Sequence, residues 1–152
     1  MTRRLTLVLS VLLAVSAGLG AAEGAEQPGT VDTVRDAGEA TLEDFRWIAR
    51  PLVVFADNPA DPRYVQQMQL ILERLDALEE REVVVLTDTD PSARSPLRRE
   101  LRPRGFMFAL IAKDGTIIQR KPSPWDVREI SRAIDKQPLR QQEVRDRRDS
   151  LR

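Results

Sequence analysis

The chain has 152 residues, 24 Lys+Arg against 24 Asp+Glu, and neither cysteine nor histidine. Disulfides, CxxC redox pairs, cysteine nucleophiles, Ser-His-Asp triads and His-bound zinc are therefore excluded. Chemistry is left to carboxylates, Lys/Arg, hydroxyls and one phenol, and the even charge gives no electrostatic footprint for nucleic acid.

Arg3 and Arg4 precede an apolar run from Leu5 to Ala17, and Gly20 and Ala22 supply small residues at the −3 and −1 positions of a cleavage site. This pattern predicts a signal peptide over 1–22 and export to the periplasm or beyond. The run would rise only about 20 Å as a helix, short of a ~30 Å hydrocarbon core. Extended through the glycines to Ala22 it approaches spanning length, so an uncleaved anchor is the competing reading. With Arg3 and Arg4 removed, 22 basic groups face 24 acidic ones, a formal charge of −2. Residues 136–152 carry six basic groups against three acids, net +3.

Residues 23–40 are rich in Gly, Glu, Asp and Ala, with Val31 and Val34 as the large apolar groups. Such a composition cannot offset its ordering entropy and reads as a flexible linker. A domain over 41–145 comes next. Thr41 is a good N-cap with Asp44 three residues on, and Leu42, Phe45 and Ile48 supply one apolar face of a first helix. After Pro51, the run Leu52-Val53-Val54-Phe55-Ala56 predicts a strand buried on both faces. Asp61 caps a helix with Pro62 at its first position. Val65, Met68, Ile71, Leu72, Leu75 and Leu78 carry that helix's stripe to about Glu79. Val83 to Leu86 is a second buried strand, completing a βαβ unit.

Ser95-Pro96 starts a short helix carrying Leu97 and Leu101, stopped by Pro103 and Gly105. Phe106 to Ala112 is a third strand. Lys113-Asp114-Gly115-Thr116 predicts a type I′ hairpin turn into a more polar edge strand over 116–121. Ser123 then caps a last helix, with Pro124 first, Asp126 three after the cap, and Val127, Ile130, Ala133 and Ile134 facing the core. The order α-βαβ-α-ββα predicts an α/β fold, a thioredoxin-like three-layer sandwich around a mixed four-stranded sheet.

Phe45-Arg46-Trp47, Arg50 to Phe55, Asp61-Pro62-Arg63-Tyr64 with Gln67, Val83 to Leu86, Gly105-Phe106 through Lys113-Asp114-Gly115, and Pro138 to Arg145 stand in a characteristic order. Together they resemble the bacterial DUF4174 family of exported, thioredoxin/peroxiredoxin-like domains. The resemblance covers residues 43 to 145 and implies fold and export, with no assigned activity. The thiol positions of such folds fall on Ala56 to Arg63, which contains no cysteine, and Gly105-Phe106-Met107 stands where thioredoxins carry a cis-proline.

Ligands of open α/β sheets bind beyond the carboxyl ends of the parallel strands. Two acidic loops leave those ends, and Asp57, Asp61, Asp88 and Asp90 converge if the strands are neighbours. Such an oxygen-rich cluster suits a hard cation such as Ca²⁺. The blander account is that Asp61 caps its helix and that Asp before Pro makes turns. Arg63, in the first turn of the same helix, is either an anion clamp or the partner of a neighbouring Asp. Arg94, Arg98, Arg99, Arg102 and Arg104 read as a solvated face, and Trp47 and Trp125 as burying against the sheet ends.

Two function classes are compatible with these residues. One is a non-enzymatic binding or interaction domain for an unknown protein or small ligand. The other is a carboxylate/Arg enzyme or calcium site in the loops after the parallel strands. No cofactor, nucleic acid or stable membrane anchor after signal cleavage is implied. Residues 146–152 form a charged C-terminal tail; Leu139 is expected to pack on the domain and the residues beyond it to fray into solvent.

Overall fold

The computed structural model describes residues 33–152; the expected signal peptide over 1–22 and the first part of the expected linker lie outside them. The chain forms strand β1 (Val34–Asp36), a 3-10 turn (Glu43–Phe45), β2 (Arg50–Phe55), α1 (Pro62–Leu72), α2 (Leu75–Glu79) and β3 (Val83–Asp88). A second 3-10 turn (Pro91–Ala93), α3 (Pro96–Leu101), β4 (Met107–Ile111), β5 (Ile117–Lys121), α4 (Val127–Asp135) and α5 (Pro138–Ser150) complete it.

The strands form one five-stranded sheet in the order β1-β3-β2-β4-β5. β1, β3 and β2 run parallel, β4 is antiparallel to β2, and β5 is antiparallel to β4. Because side chains alternate across a strand, β2 sends Leu52 and Val54 to one face and Val53 and Phe55 to the other. The first face packs on Ile71, Leu78, Val127, Ile130 and Ile134 from α1, α2 and α4. The second packs on Phe45, Leu97 and Leu101. Each fully buried aliphatic side chain contributes about 1.5–3 kcal/mol, which explains why the interior strands β3, β2 and β4 each carry a continuous apolar run.

The sandwich is the expected one, with four differences. The first is a fifth strand: Val34–Asp36, expected within the flexible linker over 23–40, pairs with Val85 to Thr87. Without β1, the outer edge of β3 would leave buried backbone groups unpaired; Val85 N–H donates to Thr33 O at 2.6 Å, and Ala37 N–H to Thr87 O at 2.8 Å.

The second is that the helix expected from Thr41 is a single 3-10 turn. Asp44 does reach back, accepting from Thr41 N–H at 2.8 Å. Strand β2 begins at Arg50 and leaves no room for further turns, so Ile48 faces solvent.

The third is that the expected helix to Glu79 is interrupted. Arg74 takes φ −140°, ψ 39°, ending α1 and redirecting α2 so that Leu78 reaches the core while Val65 and Leu72 stay exposed. Neither glycine nor proline marks that break.

The fourth concerns two turns. The last core helix starts from Asp126, whose side chain accepts from Arg128 N–H at 2.7 Å, and not from Ser123. Buried Gln67 holds the preceding segment extended: its Oε1 accepts from Trp125 N–H at 2.8 Å and its Nε2 donates to Trp125 O at 3.0 Å. The hairpin is not type I′, since Gly115 has positive φ (90°) and Asp114 does not. Ala112 N–H donates to Thr116 O and closes a longer loop, in which Asp114 accepts from Thr116 N–H at 2.9 Å.

Candidate functional site

The carboxyl ends of β2 and β3 bring two loops together. Ala56 N–H donates to Asp88 O at 3.0 Å, so the loop after β2 starts against the end of β3. Asp61 then caps α1, its Oδ1 accepting from Arg63 N–H at 2.8 Å, and Arg63 Nη2 returns to Asp61 Oδ2 at 3.2 Å. The Arg63 hydrogen bond holds the Asp61 carboxyl below the usual carboxylate range. The guanidinium also lies 5.6 Å from the centroid of Phe106. Arg63 is thus paired with a neighbouring Asp.

Asp88 is buried at 5% exposure and fully engaged. It accepts from the Ser95 hydroxyl at 2.5 Å and from Arg98 Nη2 at 2.8 Å. Arg98 also donates to the carbonyls of Ala56 and Asp88, at 2.9 and 3.1 Å, and covers the Phe55 ring. One guanidinium therefore ties the ends of β2 and β3 to α3. Arg98 does not belong to a solvated face; sequence periodicity missed it because its partner lies on another element.

Asp57 is exposed, 4.0 Å from Arg98 Nη1, and its Oδ2 approaches Gly105. Gly105 has φ +63°, the left-handed region glycine occupies without strain. Asp90 turns to its own 3-10 turn, accepting from the Ser92 hydroxyl and N–H, which lower its pKa. The four acidic residues therefore do not converge as expected. Among the described residues no group of three or more acidic side chains is placed to hold a metal ion.

The opposite end of the strands carries a second cluster. Arg50 is 1% exposed, and its Nη2 donates to both oxygens of Glu143 on α5. Lys113 Nζ reaches Glu82 at 2.5 Å and Glu143 at 3.1 Å, and buried Arg140 lies 3.5 Å from Glu143. Burial pushes the Glu143 carboxyl up, but hydrogen bonds from Arg50 and Lys113 outweigh it and lower its pKa. Beside this cluster Trp47 is 65% and Ile48 69% exposed. Trp47 takes φ 64° and is pinned by its N–H to Lys113 O at 2.7 Å. It does not bury against the sheet end as expected, whereas Trp125 stacks on Phe108 with centroids 5.8 Å apart.

A family model described as a domain of unknown function, DUF4174, matches residues 41–143. The chain belongs to the DUF4174 family. Among solved structures, this DUF4174 domain is similar to the reduced 2-Cys peroxiredoxin of Plasmodium vivax, with a TM-score of 0.52 and 17% identity. The likeness covers 63% of this chain and 81% of that one, and it supports the thioredoxin-type fold alone. No curated protein matches the chain. Every shifted carboxyl resolved in the DUF4174 domain (Asp61, Asp90, Asp114 and Glu143) moves downward, the direction of a paired carboxylate and not of a general acid.

Proposed function

We propose that this DUF4174 protein is an exported, non-enzymatic binding domain on a thioredoxin-like scaffold that has no thiol chemistry. The observation that carries the reading is the Trp47-Ile48 ridge. A bulky residue in the left-handed region costs on the order of 1–3 kcal/mol, and both side chains forgo burial. Folding alone does not favour such an arrangement, while a protein partner that covers the ridge gains from it. Concavities flank both residues: one of ≈ 540 Å³ includes Ile48, Phe45 and Val84, and one of ≈ 430 Å³ includes Trp47, Lys113 and Leu139.

At the other end, Asp88 is held by Arg98 and Ser95, and Asp61 by Arg63, which favours binding over acid–base turnover. The test compares the wild type with Trp47→Gly and Ile48→Ser as baits in the exporting cell's periplasmic extract. A partner should be retained by the wild type and lost with either variant. Identical capture by all three would refute the ridge as the binding surface. Export is checked separately by N-terminal sequencing of the secreted protein, which should begin at Glu23.

A further inference from the structure

We propose a binding site for a compact, doubly charged tetrahedral oxyanion, a phosphate group, between the end of α3 and the β4–β5 pair. It goes beyond the ridge reading and lies at the opposite end of the strands from Trp47. A concavity of ≈ 230 Å³ here is lined by Arg102, Arg104, Arg120 and Lys121 around Phe106 and Met107, with no acidic residue in its wall. The four cations come from separate segments, the α3 exit and the end of β5, so the fold and not sequence proximity gathers them. Among the described residues none of the four makes an ion pair; Asp57, beside Gly105, faces Arg98 instead.

One guanidinium is held in place, and the backbone of another cation is set by the end of α3. Arg120 Nη2 donates to the Leu101 carbonyl at the end of α3 and contacts Met107 Sδ, which fixes the guanidinium and leaves its other N–H groups free. Arg102 sits at φ 48°, left-handed, immediately before Pro103. Four like charges gathered without an acidic neighbour repel one another, and an anion among them relieves that repulsion. A single carboxylate would neutralise one of them; a phosphate dianion offers two charges and several acceptors within a space smaller than an ordinary ligand pocket. Arginine's planar fork suits such oxygens.

The test is calorimetric titration of the purified protein with inorganic phosphate and with glycerol 3-phosphate, against chloride at matched ionic strength. Saturable phosphate binding is expected, weakened roughly tenfold or more in Arg102→Gln/Arg104→Gln and retained in Arg147→Gln/Arg148→Gln. Equal affinity for both probes assigns free phosphate, and tighter binding of the ester assigns a phosphorylated small molecule. Absence of saturable binding, or equal loss in both double variants, overturns the site. Binding only to phosphatidylglycerol vesicles with no response to phosphate also overturns it, in favour of a membrane surface.

Discussion

Arg50 and Glu143 meet across 93 residues of chain, with Arg50 Nη2 donating to Oε1 at 2.9 Å and to Oε2 at 3.0 Å. The pair fastens α5 to the first residue of β2, and it buries the guanidinium to 1% exposure. Its other acidic neighbour, Glu82, lies 3.8 Å away. Removing Glu143 therefore leaves a desolvated cation with the Arg81 carbonyl and the more distant Glu82 as its remaining partners. Glu143→Ala should cost about 3 kcal/mol or more by urea denaturation, and a paired Arg50→Met/Glu143→Leu variant should recover part of it, since Lys113 and Arg140 lose Glu143 in both. A single-variant loss below ~1 kcal/mol would put the pair among weak surface contacts.

The same carboxylate sets an acid limit. Its folded pKa is depressed, so the unfolded state binds protons more readily. Its contribution is present above the unfolded glutamate value of about 4.3 and is lost as pH falls through the lower folded value. Asp61, Asp90 and Asp114 shift in the same direction. Stability should be flat from pH 7 to 5 and fall below that, with a shallower acid limb in Glu143→Gln. An unchanged acid limb in the variant would assign the acid sensitivity to the other carboxyls.

Where local chemistry decides an element, the sequence reading and the structure agree. The Leu52–Ala56 run becomes β2, and Asp61-Pro62 and Ser95-Pro96 start α1 and α3. Where a distant partner decides, the sequence is silent. Val34–Asp36 is polar and short, and becomes a strand only because β3 offers it an open edge. Arg98 looks like its neighbours Arg99 and Arg102 until Asp88 is placed beside it. Of the candidate site residues, Asp61 and Arg63 are paired as a cap predicts, whereas the convergence of the four aspartates depends on loop directions that composition does not encode.

Arg98→Met tests the closure at the carboxyl ends of β2 and β3. It leaves Asp88 buried with the Ser95 hydroxyl as its remaining side-chain donor. The expected cost is about 3–5 kcal/mol, partly restored by adding Asp88→Asn, which removes the buried charge. Near-neutral behaviour of Arg98→Met by itself would mean that the loops are held by backbone bonds such as Ala56 N–H to Asp88 O.

Trp47→Gly separates stability from binding. Glycine adopts φ 64° without the Cβ clash, and little burial is lost because the ring is already exposed. The urea midpoint should rise, corresponding to about 1 kcal/mol, while partner capture falls. A loss of stability would instead show that the ring's contacts with the neighbouring loop outweigh its backbone strain.

The tail divides at Glu143. The expected helix is present as α5, but its anchor is ionic: Arg140 is 2% exposed and Glu143 holds Arg50, whereas Leu139 is only half-buried. Residues 145 to 152 are exposed throughout. Deleting 146–152 should leave stability within ~0.5 kcal/mol of the full chain, as for surface changes generally. Deleting from 138 onward removes Glu143 together with Arg140, leaves Arg50 and Lys113 with Glu82 as their remaining acidic partner, and should cost about 3 kcal/mol or more. Equal losses from both deletions would relocate the anchor to the last turns of α5. Equal tolerance of both would make α5 an appendage, with Arg50 balanced by Glu82 alone.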